Sequence, residues 1–209
     1  MTFHSVRFSA CLIWAALLLT LSGCARTAVD KRYYILEAVR PGEPAAMQTG
    51  AILEVRRFTI DAAFADPGLV YRRDELVYEA DYYHEFLVGP AVMVTEKTRL
   101  WLARSGMFER VLAPGSRLEP TYTLEGNITT LYGDLSDASA PKAVMELHCF
   151  LLASEDADET IVSGKVYGAS NPLEARTADA LVKALDQCLT QILERLEADL
   201  KRSLADASG

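Results

Sequence analysis

Apolar and polar positions alternate most regularly between residues 122 and 167. Tyr122, Leu124, Ile128 and Tyr132 share one parity, and further on Met145, Leu147, Cys149 and Leu151 share another. Side chains alternate between faces along a strand, so each run predicts a strand with one buried face. The acidic turn Glu155-Asp156-Ala157-Asp158-Glu159 then leads into an apolar run from Ile161 to Tyr167. Three strands joined this way predict an antiparallel meander. Earlier in the chain the runs are shorter. Tyr33-Tyr34-Ile35-Leu36, Ile52 to Phe58 and Phe108 to Leu112 read as β-prone, and Pro114-Gly115 ends the last of them. Leu69-Val70-Tyr71 and Leu76-Val77-Tyr78 flank Arg72-Arg73-Asp74-Glu75, the pattern of a small hairpin.

The period changes twice. Pro90 to Ser105 reads as a helix, with Pro90 in the first turn, where its missing N–H costs nothing. Gly106 suits a left-handed C-cap before the apolar pair Met107-Phe108. Met93, Val94, Leu100, Trp101 and Leu102 are its candidate core residues. Asn171-Pro172-Leu173-Glu174 carries the signals of a second helix start: Asn171 as N-cap, Pro172 at the first position and Glu174 completing a capping box. Leu181, Leu185, Cys188, Ile192 and Leu196 then form one apolar stripe at helical spacing. No repeat and no long linker is visible. The expectation is a single α+β (α/β) domain, a mixed sheet of about five or six strands packed with helices, ending in a long C-terminal helix.

Composition narrows the classes. The 209 residues carry 21 Lys+Arg against 29 Asp+Glu, a formal net charge of −8. Nucleic-acid binders draw most of their affinity from basic side chains, so no nucleic-acid partner is expected. Adsorption to anionic lipid by charge is disfavoured for the same reason.

The N-terminus sets the compartment. After Arg7, the stretch Phe8 to Leu21 is apolar and uncharged, too short for a comfortable membrane span and of the length of a signal-peptide h-region. It ends in Leu21-Ser22-Gly23-Cys24, which resembles a bacterial lipobox. That resemblance implies a lipoprotein signal peptide over residues 1–23, cleavage before Cys24, and a diacylglyceryl group and palmitate-type acylation at Cys24. Two or more acyl chains make a stable anchor, each buried CH₂ contributing roughly 0.8 kcal/mol. Residues 24–31 are the acylated Cys and a short tether, and the folded domain is residues 32–209. The seven tether residues Ala25 to Lys31 reach at most ~25 Å at about 3.5 Å each. Ala25, where Asp would be the usual signal for inner-membrane retention, resembles the outer-membrane class facing the periplasm.

Catalytic motifs are missing. The sequence has no P-loop, no G-x-S-x-G, no H-E-x-x-H and no dinucleotide fingerprint. No catalytic residue, metal or cofactor is expected. His148 and Cys149 are adjacent on a predicted strand and so point to opposite faces, which argues against a nucleophile dyad. The mature cysteines, Cys149 and Cys188, lie on the apolar faces of a strand and a helix that must pack together. Two outcomes stay open. A disulfide closing about 40 residues would contribute on the order of 4 kcal/mol, and the periplasm permits it. Otherwise the pair are buried thiols behaving as small hydrophobes. Tyr71, Tyr78, Tyr82, Tyr83 and Phe86 crowd sixteen residues, with Arg72 and Arg73 beside them. Core packing explains some of these rings. An interface is the alternative for the set, because Tyr and Arg are favoured at contact hot spots.

The ordered set of segments resembles the ABC-type transport auxiliary lipoproteins, the PqiC-like group. The segments are Tyr33-Tyr34-Ile35-Leu36, Leu69-Val70-Tyr71-Arg72 with Tyr78, Tyr83 to Pro90, Ser105-Gly106-Met107-Phe108 with Val111, and Pro114-Gly115-Ser116. Where members of that family often carry Trp before the Pro-led helix, this chain has Phe86. The resemblance implies an anticodon-binding-domain-like fold and a non-enzymatic role in an ABC/MCE-type intermembrane lipid transport system. The implied partners are the membrane, through the lipid anchor, a periplasmic mammalian-cell-entry (MCE) type protein, and further copies of the chain in a ring. An envelope-assembly lipoprotein and an envelope hydrolase are the alternatives.

Overall fold

A computed structural model describes residues 30–43, 50–155 and 158–207. The expected signal peptide, Cys24 and most of the expected tether lie outside the described residues. From Lys31 on, the chain forms one unit. It is the expected mixed α+β domain with a long C-terminal helix. The sheet has nine strands: β1 (Arg32–Tyr34), β2 (Ile52–Val55), β3 (Thr59–Ile60), β4 (Gly68–Arg72), β5 (Tyr78–Phe86), β6 (Arg110–Leu112), β7 (Tyr122–Asp134), β8 (Lys142–Glu155) and β9 (Asp158–Pro172). The helices are α1 (Pro90–Arg104) and α2 (Ala178–Ala207), and a 3-10 turn spans Ala62–Phe64.

The sheet is built on β7. One edge of β7 carries β2, β3 and β4 in line, all parallel to it. The other edge carries β8, antiparallel, with β9 antiparallel beyond it. On the β2/β4 side the sheet extends outward through β6 on β2, and through β5 and then β1 on β4. The meander predicted from residues 122–167 is therefore β7-β8-β9. The extra strands are pieces of two to four residues. The run Ile52 to Phe58 splits because Phe58 breaks the alternation: its ring lies against Gly126, where a Cβ would come within 2.7 Å. Its N–H leaves the ladder for Thr95 Oγ1 at 2.9 Å.

One register shift moves a residue expected in the core to the other face. A bulge lies between Ile128 and Thr130, opposite Leu147 and Glu146. It adds one residue and reverses the parity beyond it. Leu131, paired with Met145, takes the buried side. Tyr132, expected on the core face, stands on the opposite face with Phe64 and Tyr78.

Both helices lie on one face. Helix α1 starts at Pro90 with Gly89 as N-cap and ends at Arg104 with Ser105 as C-cap, followed by Gly106 at φ 71°. Met93, Val94, Trp101 and Leu102 are buried as expected, whereas Leu100 is exposed. Thr95 and Thr98 are buried inside the helix and donate to the carbonyls of Ala91 and Val94, so neither hydroxyl is orphaned. Helix α2 buries Leu181, Leu185, Cys188, Ile192 and Leu196 together with Leu189, Leu193, Leu200 and Leu204. At roughly 1.5–3 kcal/mol for each large side chain taken from water, this stripe is a main source of stability. The two helices are joined where Trp101 Nε1 donates to Glu197 Oε2 at 2.7 Å and Arg40 clamps both carboxylate oxygens at 2.9 Å.

The start of α2 differs from expectation. Asn171 and Pro172 are still in β9, paired with Ala143 and Lys142, and the helix begins at Ala178. Strand β8 reaches back to Lys142 and holds these residues extended, and β9 is an edge strand, where Pro is tolerated. Thr177 performs the capping instead. Its Oγ1 accepts from Ala180 N at 3.2 Å and its carbonyl from Leu181 N at 3.0 Å.

Candidate interaction surface

The hairpin expected around Arg72–Glu75 is β4-β5, turning through residues 73–77. Leu76 lies in the turn, not in a strand, and is 89% exposed. The tip is braced by charge. Arg72 pairs with Asp134 Oδ2 at 2.8 Å, and Arg73 Nε donates to Glu79 at 2.6 Å. The Arg73 guanidinium also stands 5.3 Å from the Tyr71 ring centroid. Burial works against the charge on Asp134, yet bonds from the Ser136 hydroxyl and N–H and from Arg72 hold its carboxyl below the usual range.

The aromatic cluster divides into three. Tyr71 and Phe86 are buried members of the core, which corrects the reading of all seven side chains as one interface set. They sit on the inward parity of β4 and β5, under the helices. Burial, reinforced by Asp81 and Tyr34, pushes the Tyr71 phenol up to about 12. Tyr78 is half-exposed beside the hairpin turn. Its ring packs edge-on against Tyr132 at 5.4 Å and against Phe64 at 6.4 Å, and Arg72 lies over Tyr132 at 5.7 Å.

Tyr82 and Tyr83 form the third group. Between the pairs Gly68–Glu85 and Val70–Ala80, strand β5 carries extra residues that bulge from the sheet. Asp81 holds the bulge: its Oδ1 accepts the N–H groups of Tyr83 and His84 at 2.8 and 3.1 Å, and its Oδ2 meets His84 Nδ1 at 2.8 Å. The two tyrosines emerge edge-to-face, 5.2 Å apart, with Tyr82 69% exposed. Lys31 Nζ stands 4.4 Å from the Tyr82 centroid and pairs with Glu85. Sequence reasoning missed Tyr33 and Leu87, which share this exposure. Their outward parity shows only once β1 is paired to β5.

The Cys149–Cys188 bond is not formed in the structure; both thiols are free and buried. Cys188 lies against the Ala143 carbonyl at 3.9 Å and accepts from Asn171 Nδ2 at 3.2 Å. Cys149 is six residues farther along β8, roughly 20 Å at strand rise. Burial pushes the Cys149 thiol up to about 12, which makes it a poor nucleophile. His148 points the other way and packs on Phe150. Among the described residues no three His, Cys, Asp or Glu side chains gather as metal ligands would, and no helix is long and apolar enough to cross a membrane.

Residues 34–197 match the family model of the ABC-type transport auxiliary lipoprotein component. No curated protein matches the chain. Among solved structures, protein XCC0632 from Xanthomonas campestris, of the DUF330 family, superposes with a TM-score of 0.75 at 19% identity, covering 85% of this chain and 98% of its own. An uncharacterized protein superposes with a TM-score of 0.63 at 16% identity, covering 82% of this chain and 99% of its own. At such identities the likeness establishes the fold.

Proposed function

Because the chain belongs to the ABC-type transport auxiliary lipoprotein family, we propose that it is a non-catalytic docking subunit of an ABC/MCE-type intermembrane lipid transport system. It is anchored through Cys24 in the outer membrane and faces the periplasm. The observation that carries the docking role is the β4-β5 hairpin tip. Arg72, Arg73, Leu76, Val77 and Tyr78 stand there together, their charges braced by Asp134 and Glu79, with Leu76 and Val77 uncovered. A braced tip that presents Arg and Tyr carries the residue types enriched at contact hot spots, and uncovered Leu76 and Val77 add apolar area beside them. Tyr71 and Phe86 support the hairpin from the core.

The test is photo-crosslinking in intact cells from a reactive amino acid placed at Leu76. The expected product is an adduct with a periplasmic MCE-type protein, diminished by Tyr78→Ala. A product at twice the chain's mass would instead assign the tip to a neighbouring copy in a ring, and adducts with outer-membrane assembly proteins alone would overturn the transport reading. The anchor is checked in parallel: Cys24→Ala should lose palmitate label and membrane retention. Normal labelling in that variant would remove the anchor from the proposal.

A further inference from the structure

We propose that the face at the β1 edge formed by Tyr33, Ile35, Tyr82, Tyr83 and Leu87 is a membrane-contact surface, on which the domain rests against the bilayer that holds its lipid anchor. This rests on the acylation of Cys24 proposed above.

Tyr33 and Ile35 share one face of β1 and its continuation. In the parallel register Tyr33 stands beside Glu85, and Leu87 follows two residues on, after its N–H closes onto the Tyr34 carbonyl. Lys31 belongs to the same face, bonded to Glu85 and lying over Tyr82. Tyr33, Tyr82 and Leu87 are 56, 69 and 62% exposed, and Ile35 and Tyr83 are also uncovered. Five large apolar or amphipathic side chains thus face outward around one ion pair whose charges cancel.

Three observations favour a bilayer over another occupant. The first is position. The tether ends at Lys31, inside this face, so an acyl group on Cys24 lies within ~25 Å of it by chain length alone. The second is chemistry. Tyrosine carries an apolar body and a wet hydroxyl, the combination enriched where a membrane meets water. Three tyrosines with one Ile and one Leu match a lipid headgroup boundary without needing a shaped pocket. The third is charge. With a net charge of −8 and Lys31, the Lys of this face, paired with Glu85, adsorption to anionic lipid by charge is disfavoured. Contact through neutral aromatic groups is what remains available. The strand edge itself is only three residues long and offers little to a partner that would add a strand.

The face at the β1 edge also orients the rest. Tyr78 and the hairpin tip lie at the other end of β5, across the Asp81 bulge, so a domain resting on Tyr82 keeps the tip free for a periplasmic partner.

The test uses mature lipoprotein purified from membranes and incorporated in phosphatidylcholine vesicles whose acyl chains are brominated, a collisional quencher of tryptophan. Tyr82→Trp places a reporter in the face, and Leu118→Trp places one at an exposed position between β6 and β7, at the end of β7 away from β4 and β1. Both sites are open, so neither change disturbs the core; melts matching the parent confirm it. The native Trp101 is buried and gives a common background. The N-terminal peptide is weighed to verify acylation. The expected result is loss of fluorescence for Tyr82→Trp in brominated relative to unbrominated vesicles, with none for Leu118→Trp. An acylated protein whose Tyr82→Trp signal is unquenched, or is quenched no more than Leu118→Trp, overturns the contact surface and leaves the anchor standing. A protein without an acyl group overturns the anchor and this inference with it.

Discussion

Cys149 and Cys188 show how one side chain's neighbours decide its chemistry. Each is enclosed by apolar residues, and burial raises both thiols above their ordinary range. Asn171 supplies Cys188 with a donor, and Gln191 Nε2 in turn donates to Asn171 Oδ1 at 3.0 Å, so the thiol is tied into a small polar network at the β9 edge. Two free thiols are therefore expected when mature protein is denatured without reductant and alkylated, and slow or absent labelling when it is native. Loss of both from the alkylated pool would mean that the helix and strand shift far enough to pair them. Tyr132 teaches a related lesson. A single inserted residue at the β7 bulge moves it from the core face to the outer one, where its ring becomes the floor under Tyr78.

Among the elements, α2 has a body that its sequence states plainly and a start that strand pairing decides. Its apolar stripe repeats over enough turns that helical period is unmistakable, and every residue named in it is buried. The start was masked because Asn171-Pro172 carries good capping chemistry in a place that strand pairing claims first. The two assignments separate cleanly by mutation. Thr177→Ala removes the side-chain acceptor of Ala180 N–H and should cost about 1 kcal/mol. At ~2–4 °C per kcal/mol for a domain of this size, a fall of a few degrees in melting temperature is expected. Glu174→Ala, which would break the capping box of the alternative start, should leave the melt nearly unchanged, since Glu174 is exposed and its bonds among the described residues are to exposed Lys183. A larger effect at Glu174 than at Thr177 would place the helix start at Asn171 after all.

At the scale of the whole molecule, three carboxylates connect separate parts of the fold. Glu197 joins α2 to α1 and to the Arg40 segment, Asp199 joins α2 to Lys165 and Tyr167 of β9, and Asp134 joins β7 to β4. Burial opposes ionisation at all three, but hydrogen bonds to their partners prevail and hold their carboxyls below the ordinary range. A carboxyl depressed in the folded state stabilises above its unfolded pKa, and that stability is lost as pH falls through the folded value. Asp186 works the other way: burial raises it, so acid relieves rather than weakens the fold at that position. Glu96 and Asp137 are also held low, by Arg99 and by Ser139, so with five carboxyls against one among the described residues the melting temperature should stay level from neutrality to about pH 5 and fall below about pH 4. Glu197→Gln should melt lower at pH 7 and lose less on acidification. A parallel fall in the variant would show that Glu197 does not carry this link.

Local pattern determined the elements that repeat: the three long strands of the meander, the Pro-led helix with its left-handed Gly106, the hairpin and the stripe of α2. Alternation and helical period are properties of neighbouring residues, and a long run states them many times over. The acidic charge is likewise written in gross composition. Tertiary structure alone decided what depends on pairing between distant segments. It divided the run Ile52 to Phe58 into two short strands laid in line along β7, and set the bulge that turned Tyr132 outward. It separated buried Tyr71 and Phe86 from exposed Tyr78, Tyr82 and Tyr83. It placed Cys188 beside Ala143 and not Cys149. The physical reason is common to all four. A strand's faces and neighbours are set by its register against another strand, register is fixed by which side chains the sheet and helices must bury together, and that choice is made by residues far apart in the chain.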